Sequence, residues 1–387
     1  RKIDDMYGLG QTINIGFVLR DPNWHGGINY LRSLTSALNL VKSKNINQIL
    51  FVPSQSNMSN LRNFEIKIIK SKLFNDSLIN KIILKLTFFI FKKNIILELY
   101  FKYHGINILS HTNYTKLLDI KLIGWIGDFQ YLHLKNFFGK ISIKRNIALH
   151  TDLAKFADQV IVSCNYSLVD FNNYHYVYKN KVNVLKFVPT VIKPSNLLSL
   201  KELKKRFHIN EDFYFIPNQF WKHKNHLCLL KAIKYLNSNH IHPNFVFTGK
   251  MDDHRNNEYV QKIKKKIDNL SSKKVKYLGE ISYLEVCSLM FRCKAVINPS
   301  FFEGWSTSVE EAKIYNKICI LSKIPTHIEQ KPNRSIYFNP SNPIELAKAI
   351  LKTEKMNIRL IKFNNKNYIT KRKKFGFEYL NIIKKII

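Results

Sequence analysis

The chain is predicted to be an α/β protein with two parallel-sheet domains. Short apolar runs alternate with longer stretches of helical periodicity along the whole length, and those runs are continuous in Val, Ile, Leu and Phe. Strands covered by helices on both faces have this pattern, whereas half-exposed strands alternate apolar with polar residues. A third observation divides the chain. Pro189-Thr-Val-Ile-Lys-Pro194 brackets a short extended piece with two prolines, after which the alternation starts again, as suits a hinge between sheets. With 387 residues, 45% of them hydrophobic, the sequence can furnish two cores. Two such domains place a central cleft between the carboxyl ends of their strands, where α/β folds bind ligands.

In the first domain, strands are expected at Ile13–Leu19, Ile49–Val52, Ile106–Leu109, Leu122–Trp125, Val160–Val162 and Val184–Val188. In the second they are expected at Phe213–Ile216, Phe245–Thr248, Val275–Leu278, Ala295–Asn298 and Ile318–Leu321. The second domain opens with a helix at Leu200–Phe207, and Leu227, Leu230, Ile233 and Leu236 recur at helical spacing behind Asn225, a residue type suited to an N-cap. Leu78 to Tyr100 is rich in Ile, Leu and Phe but interrupted by Lys81, Lys85, Lys92 and Lys93. A spanning helix needs about 20 mostly apolar residues with few charges. The stretch therefore reads either as a covering helix of the domain or as an interfacial helix resting on anionic lipid. The tail from 358 to 387 is basic and helical in pattern.

Lys and Arg number 62 against 27 Asp and Glu, a net charge of +35. Such a field draws phosphate-rich partners, whether nucleotide, anionic membrane or nucleic acid. The basic residues are spread along the chain and no nucleic-acid-binding motif is evident, which argues against the last. The five cysteines, Cys164, Cys228, Cys287, Cys293 and Cys319, form no Cys-x-x-Cys pair and sit mostly among apolar residues. Buried reduced thiols and a cytoplasmic setting follow. Residues 1–11 lack the apolar core of a signal peptide.

The run Asn298-Pro-Ser-Phe-Phe-Glu-Gly-Trp-Ser-Thr-Ser-Val-Glu-Glu-Ala312 carries the most chemistry. A strand ends, a glycine-containing turn follows, and a helix starts with carboxylates on both sides. Such a turn offers free backbone N–H groups to an anion, and the seven residues between Glu303 and Glu311 suit a ligand with a diphosphate flanked by hydroxyls. Thr307-x-x-Glu310 and Ser308-x-x-Glu311 also fit capping boxes, in which a carboxylate merely satisfies helix N–H groups. The segment resembles the Glu-x7-Glu signature of the retaining glycosyltransferase family 4. That resemblance implies the GT-B fold, two Rossmann-like domains facing a cleft. It places an acceptor-binding domain at 1–190, a donor domain at 191–360, and a last helix at 361–387 that packs back on the first domain.

Further motifs extend the resemblance over most of the chain. Trp24-His-Gly26-Gly27, directly after the first strand, is similar to the family's Gly-Gly loop facing the donor diphosphate and the acceptor; paired glycines let backbone approach a phosphate. Gly124-Trp-Ile-Gly-Asp-Phe-Gln-Tyr-Leu-His133 supplies Asp128, Gln130 and His133, groups able to hold sugar hydroxyls or handle a proton. It resembles a Trp-Ile-Pro-Asp-Phe-Gln-His loop, but Gly127 replaces Pro and Tyr131 replaces His. Phe215-Ile-Pro-Asn218-Gln219-Phe-Trp-Lys-His-Lys224 joins a strand to a helix, and a lysine beside a helix N-terminus neutralises a diphosphate. Gln219 stands where many family members have Arg. Gly249, in Thr248-Gly-Lys250, follows the next strand.

By resemblance, Lys224, Asn218, Gln219, Gly26, Gly27, Gly249 and the backbone of Trp305, Ser306 and Thr307 bind donor, and Glu311 holds the ribose. Glu303 faces the transferred sugar and, with Lys224, Asp128 and His133, is assigned to catalysis; Trp24 and Gln130 lie on the acceptor side. The expected activity is retaining, metal-independent hexosyl transfer from a nucleotide-diphosphate-sugar to an acceptor hydroxyl. The acceptor is a glycan or lipid-linked glycan of surface polysaccharide assembly, handled at the inner face of a membrane. No Asp-x-Asp occurs, so neither a divalent metal nor another cofactor is expected. The alternatives are a sugar-nucleotide epimerase of the same architecture, a catalytically silent scaffold, and a basic nucleic-acid-binding protein.

Overall fold

Among the described residues, thirteen strands form two wholly parallel sheets. The computed structural model describes residues 11–387 apart from 22–24, 42, 44, 58–60, 62–63, 118, 210–211, 254, 271–273 and 357–362. The first sheet contains β1 (Ile13–Val18), β2 (Ile46–Pro53), β3 (Lys67–Ser71), β4 (Ile108–Thr112), β5 (Lys121–Ile126), β6 (Gln159–Val162) and β7 (Val182–Val184), in the order β3-β2-β1-β4-β5-β6-β7. The second contains β8 (Phe213–Pro217), β9 (Asn244–Thr248), β10 (Val275–Tyr277), β11 (Ala295–Asn298), β12 (Ile318–Ser322) and β13 (Ser335–Phe338), in the order β10-β9-β8-β11-β12-β13. In both sheets the order reverses between the two central strands, at β1/β4 and at β8/β11. Open α/β sheets bind ligands outside the carboxyl ends of the strands at such a reversal.

The central strands form because their residues have no polar face to give to water. β4, β6, β11 and β12 are buried at every position. In register, Val296 of β11 pairs with Phe215 of β8 on one side and Cys319 of β12 on the other. The flanking core is supplied by helices such as His226–Ser238, whose Leu229, Ile233 and Leu236 are fully or almost fully buried against β8 and β9 residues Ile216, Phe245 and Phe247. Burial of this kind contributes about 1.5–3 kcal/mol per large apolar side chain.

The edges depart from the sequence expectation. β3 and β13 were not anticipated. Lys67-Ile-Ile-Lys-Ser71 is charged and half-exposed, and Ser335-Ile-Tyr-Phe338 is only partly buried, as edge strands with one unpaired side are. The strand expected at Val184–Val188 instead forms at Val182–Val184, with the Leu185 N–H still donating to Val162 O.

By contacts the chain divides into two units. One comprises Arg1–Phe129, Ile141–Thr190 and Lys366–Ile387; the other comprises Gln130–Lys140 and Val191–Asn365. Within the first, the terminal helix Asn365–Ile383 is held by Arg372, whose guanidinium donates to Thr190 Oγ1 (2.6 Å) and Ser33 O (3.0 Å), and by Tyr379, whose hydroxyl donates to Ser110 Oγ. A Cβ at Gly376 would lie 2.7 Å from Ala37 O, so this helix meets the helix His25–Val41 at a distance only glycine permits. All five cysteines are buried free thiols.

Candidate active site

In the second unit, the parallel strands bring four loops to one edge of the sheet. Lys224 follows β8, Gly249 follows β9, Glu303 follows β11, and Thr326 and His327 follow β12. Lys224 and Glu303 flank the β8/β11 reversal and are paired: Lys224 Nζ lies 2.8 Å from both Glu303 carboxylate oxygens. The pair is largely withdrawn from water, with side-chain exposures of 19% and 7%. Burial would push the Glu303 carboxyl up, but Lys224, aided by His327 and His223, draws it down to about 2. An ammonium has three N–H donors, so the pairing leaves one for another acceptor.

A polar scaffold fixes Glu303. Ser300 Oγ lies 2.6 Å from Glu303 Oε1 and 2.6 Å from Asn298 Oδ1; Asn298 Nδ2 donates to Ser306 Oγ (2.9 Å) and Glu303 Oε1 (3.3 Å). Thr326 Oγ1 donates to Glu303 O, and Ser322 Oγ donates to Ser300 O. Burial holds His327 down to about 4 and His223 down to about 3, so both are neutral near neutral pH. Of these partners only Ser306, through its backbone, was singled out from sequence. Asn298 and Ser300 lie inside the quoted motif, but the bonds from Thr326 to Glu303 and from Ser322 to Ser300 span 23 and 22 residues and leave no local signal.

The carboxylates at the start of the helix Thr307–Ile314 do not cap it. Ser306 is the N-cap residue and makes no side-chain cap hydrogen bond. Glu310 accepts from Lys313 Nζ and Gln330 Nε2, and Glu311 Oε1 accepts from the Tyr283 hydroxyl at 2.7 Å. The capping-box alternative is thereby set aside. Tyr283 is a functional candidate the sequence did not reveal, because it sits inside a true capping box, Ser282 with Glu285. Asn225 also departs from its expected role. It has φ 55° and makes no side-chain cap bond; its Nδ2 instead donates to Pro299 O (3.0 Å) and Pro340 O (2.8 Å), fastening the lysine loop to the Glu303 loop.

Around this pair lie the other expected donor-side residues. Asn218 is buried, and its Nδ2 has no hydrogen-bond partner among the described residues. Gln219 and Trp305 are half-buried. Gly249 has φ 120°, and a Cβ there would sit 2.6 Å from Asn218 O, so the β8 and β9 loops approach as only glycine allows. The Gly249 N–H donates to Gly279 O, and the Tyr277 hydroxyl donates to Gly249 O.

The segment Gln130–Lys140 clusters with this unit. Gln130 is buried, and the exposed His133 ring stacks on Phe302 with centroids 5.3 Å apart. Phe137 meets Phe301 and receives Lys222 over its face, and Arg255 covers both Phe138 and Trp221. The aromatic seat Phe301-Phe302 is a second feature the sequence concealed, since two apolar residues after a strand look like more strand.

In the first unit, Gly26 and Gly27 lie in the first turn of the helix His25–Val41 behind β1, Gly26 exposed and Gly27 buried. Trp24 lies outside the described residues. Asp128 is half-buried just beyond β5. Near the β1/β4 reversal stands a buried cluster that sequence reasoning missed. His111 Nε2 lies 2.9 Å from the Tyr30 hydroxyl and its Nδ1 2.9 Å from Ser110 Oγ, and burial holds the imidazole down to about 3. Among the described residues no group of three or more His, Cys, Asp or Glu is arranged to hold a metal ion.

Residues 201–372 match the profile of the family described as Glycosyl transferases group 1. Among curated proteins, the O-antigen chain mannosyltransferase RfbU of Salmonella typhimurium is 27% identical over 157 residues, 40% of this chain; the matched part spans 42% of that protein's length. Among solved structures, a glycosyltransferase of Rickettsia africae matches with a TM-score of 0.65 at 15% identity, covering 97% of each chain. The Anabaena protein Alr3699/HepE in complex with UDP-glucose matches with a TM-score of 0.66 at 13% identity, covering 96% of this chain and 97% of the other. The fold is GT-B.

Proposed function

We propose that this chain, whose residues 201–372 belong to the glycosyl transferases group 1 family, transfers a hexose from a nucleotide-diphosphate-sugar to an acceptor hydroxyl with retention of configuration. One observation carries the reading: a buried Lys224–Glu303 pair at the β8/β11 reversal, beside a helix whose N-cap residue makes no side-chain cap hydrogen bond. The first N–H groups of a helix have no partner within it and carry partial positive charge. The backbone N–H groups of Trp305, Ser306 and Thr307 are assigned to the donor diphosphate, together with the remaining N–H of Lys224. Glu311, steadied by Tyr283, takes the ribose hydroxyls, and Glu303 faces the sugar. Gly26, Gly27, Asn218, Gln219 and Gly249 complete the donor side. Asp128 and His133 are assigned to catalysis with Lys224 and Glu303, and Trp24 and Gln130 to the acceptor side.

In the reaction the bond from the sugar's anomeric carbon to the β-phosphate oxygen breaks, and a bond to the acceptor oxygen forms. The acceptor's proton passes to the departing phosphate on the same face. The transition state is oxocarbenium-like, so the protein's work is to stabilise the departing diphosphate and align the acceptor. Glu303, ionised at any pH above about 2, supplies negative charge toward the developing cation. The likeness to a protein solved with UDP-glucose and to an O-antigen mannosyltransferase supports a nucleotide-sugar donor and a role in surface polysaccharide assembly; the net charge of +35 suits work at the anionic inner face of a membrane.

The test is release of nucleoside diphosphate from a panel of UDP-, GDP- and ADP-sugars by the purified chain, with glycan acceptors added. Lys224→Ala should lower kcat/KM about 10²–10³-fold, and Glu311→Ala should raise KM about tenfold, the loss of one charged hydrogen bond. Release at the wild-type rate by both variants would show the site to be misassigned. Isomerised donor with no diphosphate release would identify an epimerase instead.

A further inference from the structure

The helix Leu78–Phe91 of the first unit is built inside out. Its half-buried positions are Asn80, Leu84, Thr87 and Phe88, while Ile79, Ile82, Ile83, Leu86, Phe89 and Ile90 are 43–72% exposed. At 3.6 residues per turn those six occupy one arc of roughly 120°, so the apolar stripe faces away from the protein. An ordinary covering helix buries that stripe. The helix is nonetheless firmly placed. Ser77 Oγ accepts from the Asn80 N–H, Asn80 Nδ2 donates to Lys72 O, and Lys116 lies over the Phe88 ring. Beyond it Leu99 and Tyr103 are also exposed.

The surrounding charge selects the occupant. From residue 67 to 93 there are seven lysines and a single acid, Asp76. Asp76 pairs with Lys81, leaving Lys85 on one flank of the stripe and Lys93 just past its end. Among the described residues no helix is long and apolar enough to cross a membrane. A stripe of this size edged by lysine matches the interface of an anionic bilayer, where apolar side chains enter the acyl boundary and ammonium groups meet headgroup phosphates.

We propose that this helix is a membrane-docking surface that seats the chain on anionic lipid. The inference rests on the membrane-face location in the reading above and is independent of the chemistry assigned there. The test is co-sedimentation of the purified chain with vesicles of phosphatidylcholine containing about 30% phosphatidylglycerol, against vesicles of phosphatidylcholine alone. The chain should partition onto the anionic vesicles, less so as salt rises. Ile79→Gln, Ile82→Gln, Leu86→Gln and Ile90→Gln together retain charge and helix propensity. They should weaken binding at least about tenfold while leaving the far-UV circular dichroism and Tm unchanged. Lys85→Glu with Lys93→Glu should cost about fivefold per lysine on the anionic vesicles only.

Failure of the wild-type chain to bind anionic vesicles at low ionic strength would overturn the proposal. Undiminished binding by the glutamine variant would also overturn it, by attributing adhesion to the net charge alone. So would a concentration-dependent dimer, seen by sedimentation equilibrium without vesicle binding and abolished in the glutamine variant, since the stripe would then cover a second copy. Sugar-nucleotide turnover measured in parallel separates loss of docking from loss of activity.

Discussion

Replacing Lys224 with Ala should destabilise the second unit by about 3 kcal/mol at neutral pH. Without the lysine, the Glu303 carboxylate keeps, among the described residues, side-chain hydrogen bonds from Ser300 Oγ and Asn298 Nδ2, in a setting 7% exposed. A carboxyl held at about 2 in the folded chain instead of its ordinary 4.5 contributes about 3 kcal/mol. Breaking a buried ion pair typically costs about 3–5 kcal/mol, the same order. The sign follows from the depressed value: the contribution is complete above about 4.5 and is lost as pH falls through about 2. Urea unfolding should therefore show the variant's midpoint about 1.5 M lower at pH 7, for a slope of about 2 kcal/mol/M, with the gap closing toward pH 2. Lys224→Met combined with Glu303→Gln should recover most of the loss, because neither partner is then left charged and alone. A variant within about 0.5 kcal/mol of wild type at pH 7, or a deficit that ignores pH, would refute the claim that this pair is buried and coupled.

Other expectations are simpler to check. Gly249→Ala must adopt φ 120° and drive its Cβ to 2.6 Å from Asn218 O, so Tm should fall by the equivalent of about 2–4 kcal/mol. Tyr283→Phe removes the hydroxyl that holds Glu311 and should weaken donor binding about fivefold in a calorimetric titration, one neutral-to-charged hydrogen bond, with Tm nearly unchanged. The buried cysteines, with Cys228 pushed up to about 12 and Cys287 and Cys293 to about 11 by burial, should resist a thiol-specific disulfide reagent at pH 8 until denaturant is added.

The sheets were legible where strands are buried on both faces, because continuous apolar runs have one structural use. β11 and β12 therefore appear in the sequence nearly as they form. The edge strands β3 and β13 were not legible, since a strand with one neighbour tolerates lysine and serine and looks like loop. In the site, Lys224 and Glu303 were legible through motif and position. Their pairing was not: 79 residues separate them, and only the order of β8 beside β11 makes them neighbours.

Asn225 shows why such errors are informative. A short polar residue ahead of an amphipathic helix reads as an N-cap, because local hydrogen bonding is all that sequence displays. The folded chain uses the amide otherwise, donating to Pro299 O and Pro340 O, two carbonyls brought close only by the sheet. A proline lacks the backbone N–H that would continue a regular ladder, and the carbonyls around these prolines lie in loops outside the strands. Binding them with a buried side-chain amide ties the Lys224 loop to the Glu303 loop within one residue of the lysine. The local rule gave way where long-range contacts set the relation between two charged groups, and the same displacement of a cap accounts for Glu311, which turns from the helix start to Tyr283. Polar residues that abandon their nearest backbone donors for partners far along the chain are therefore markers of this site, legible once the topology is known.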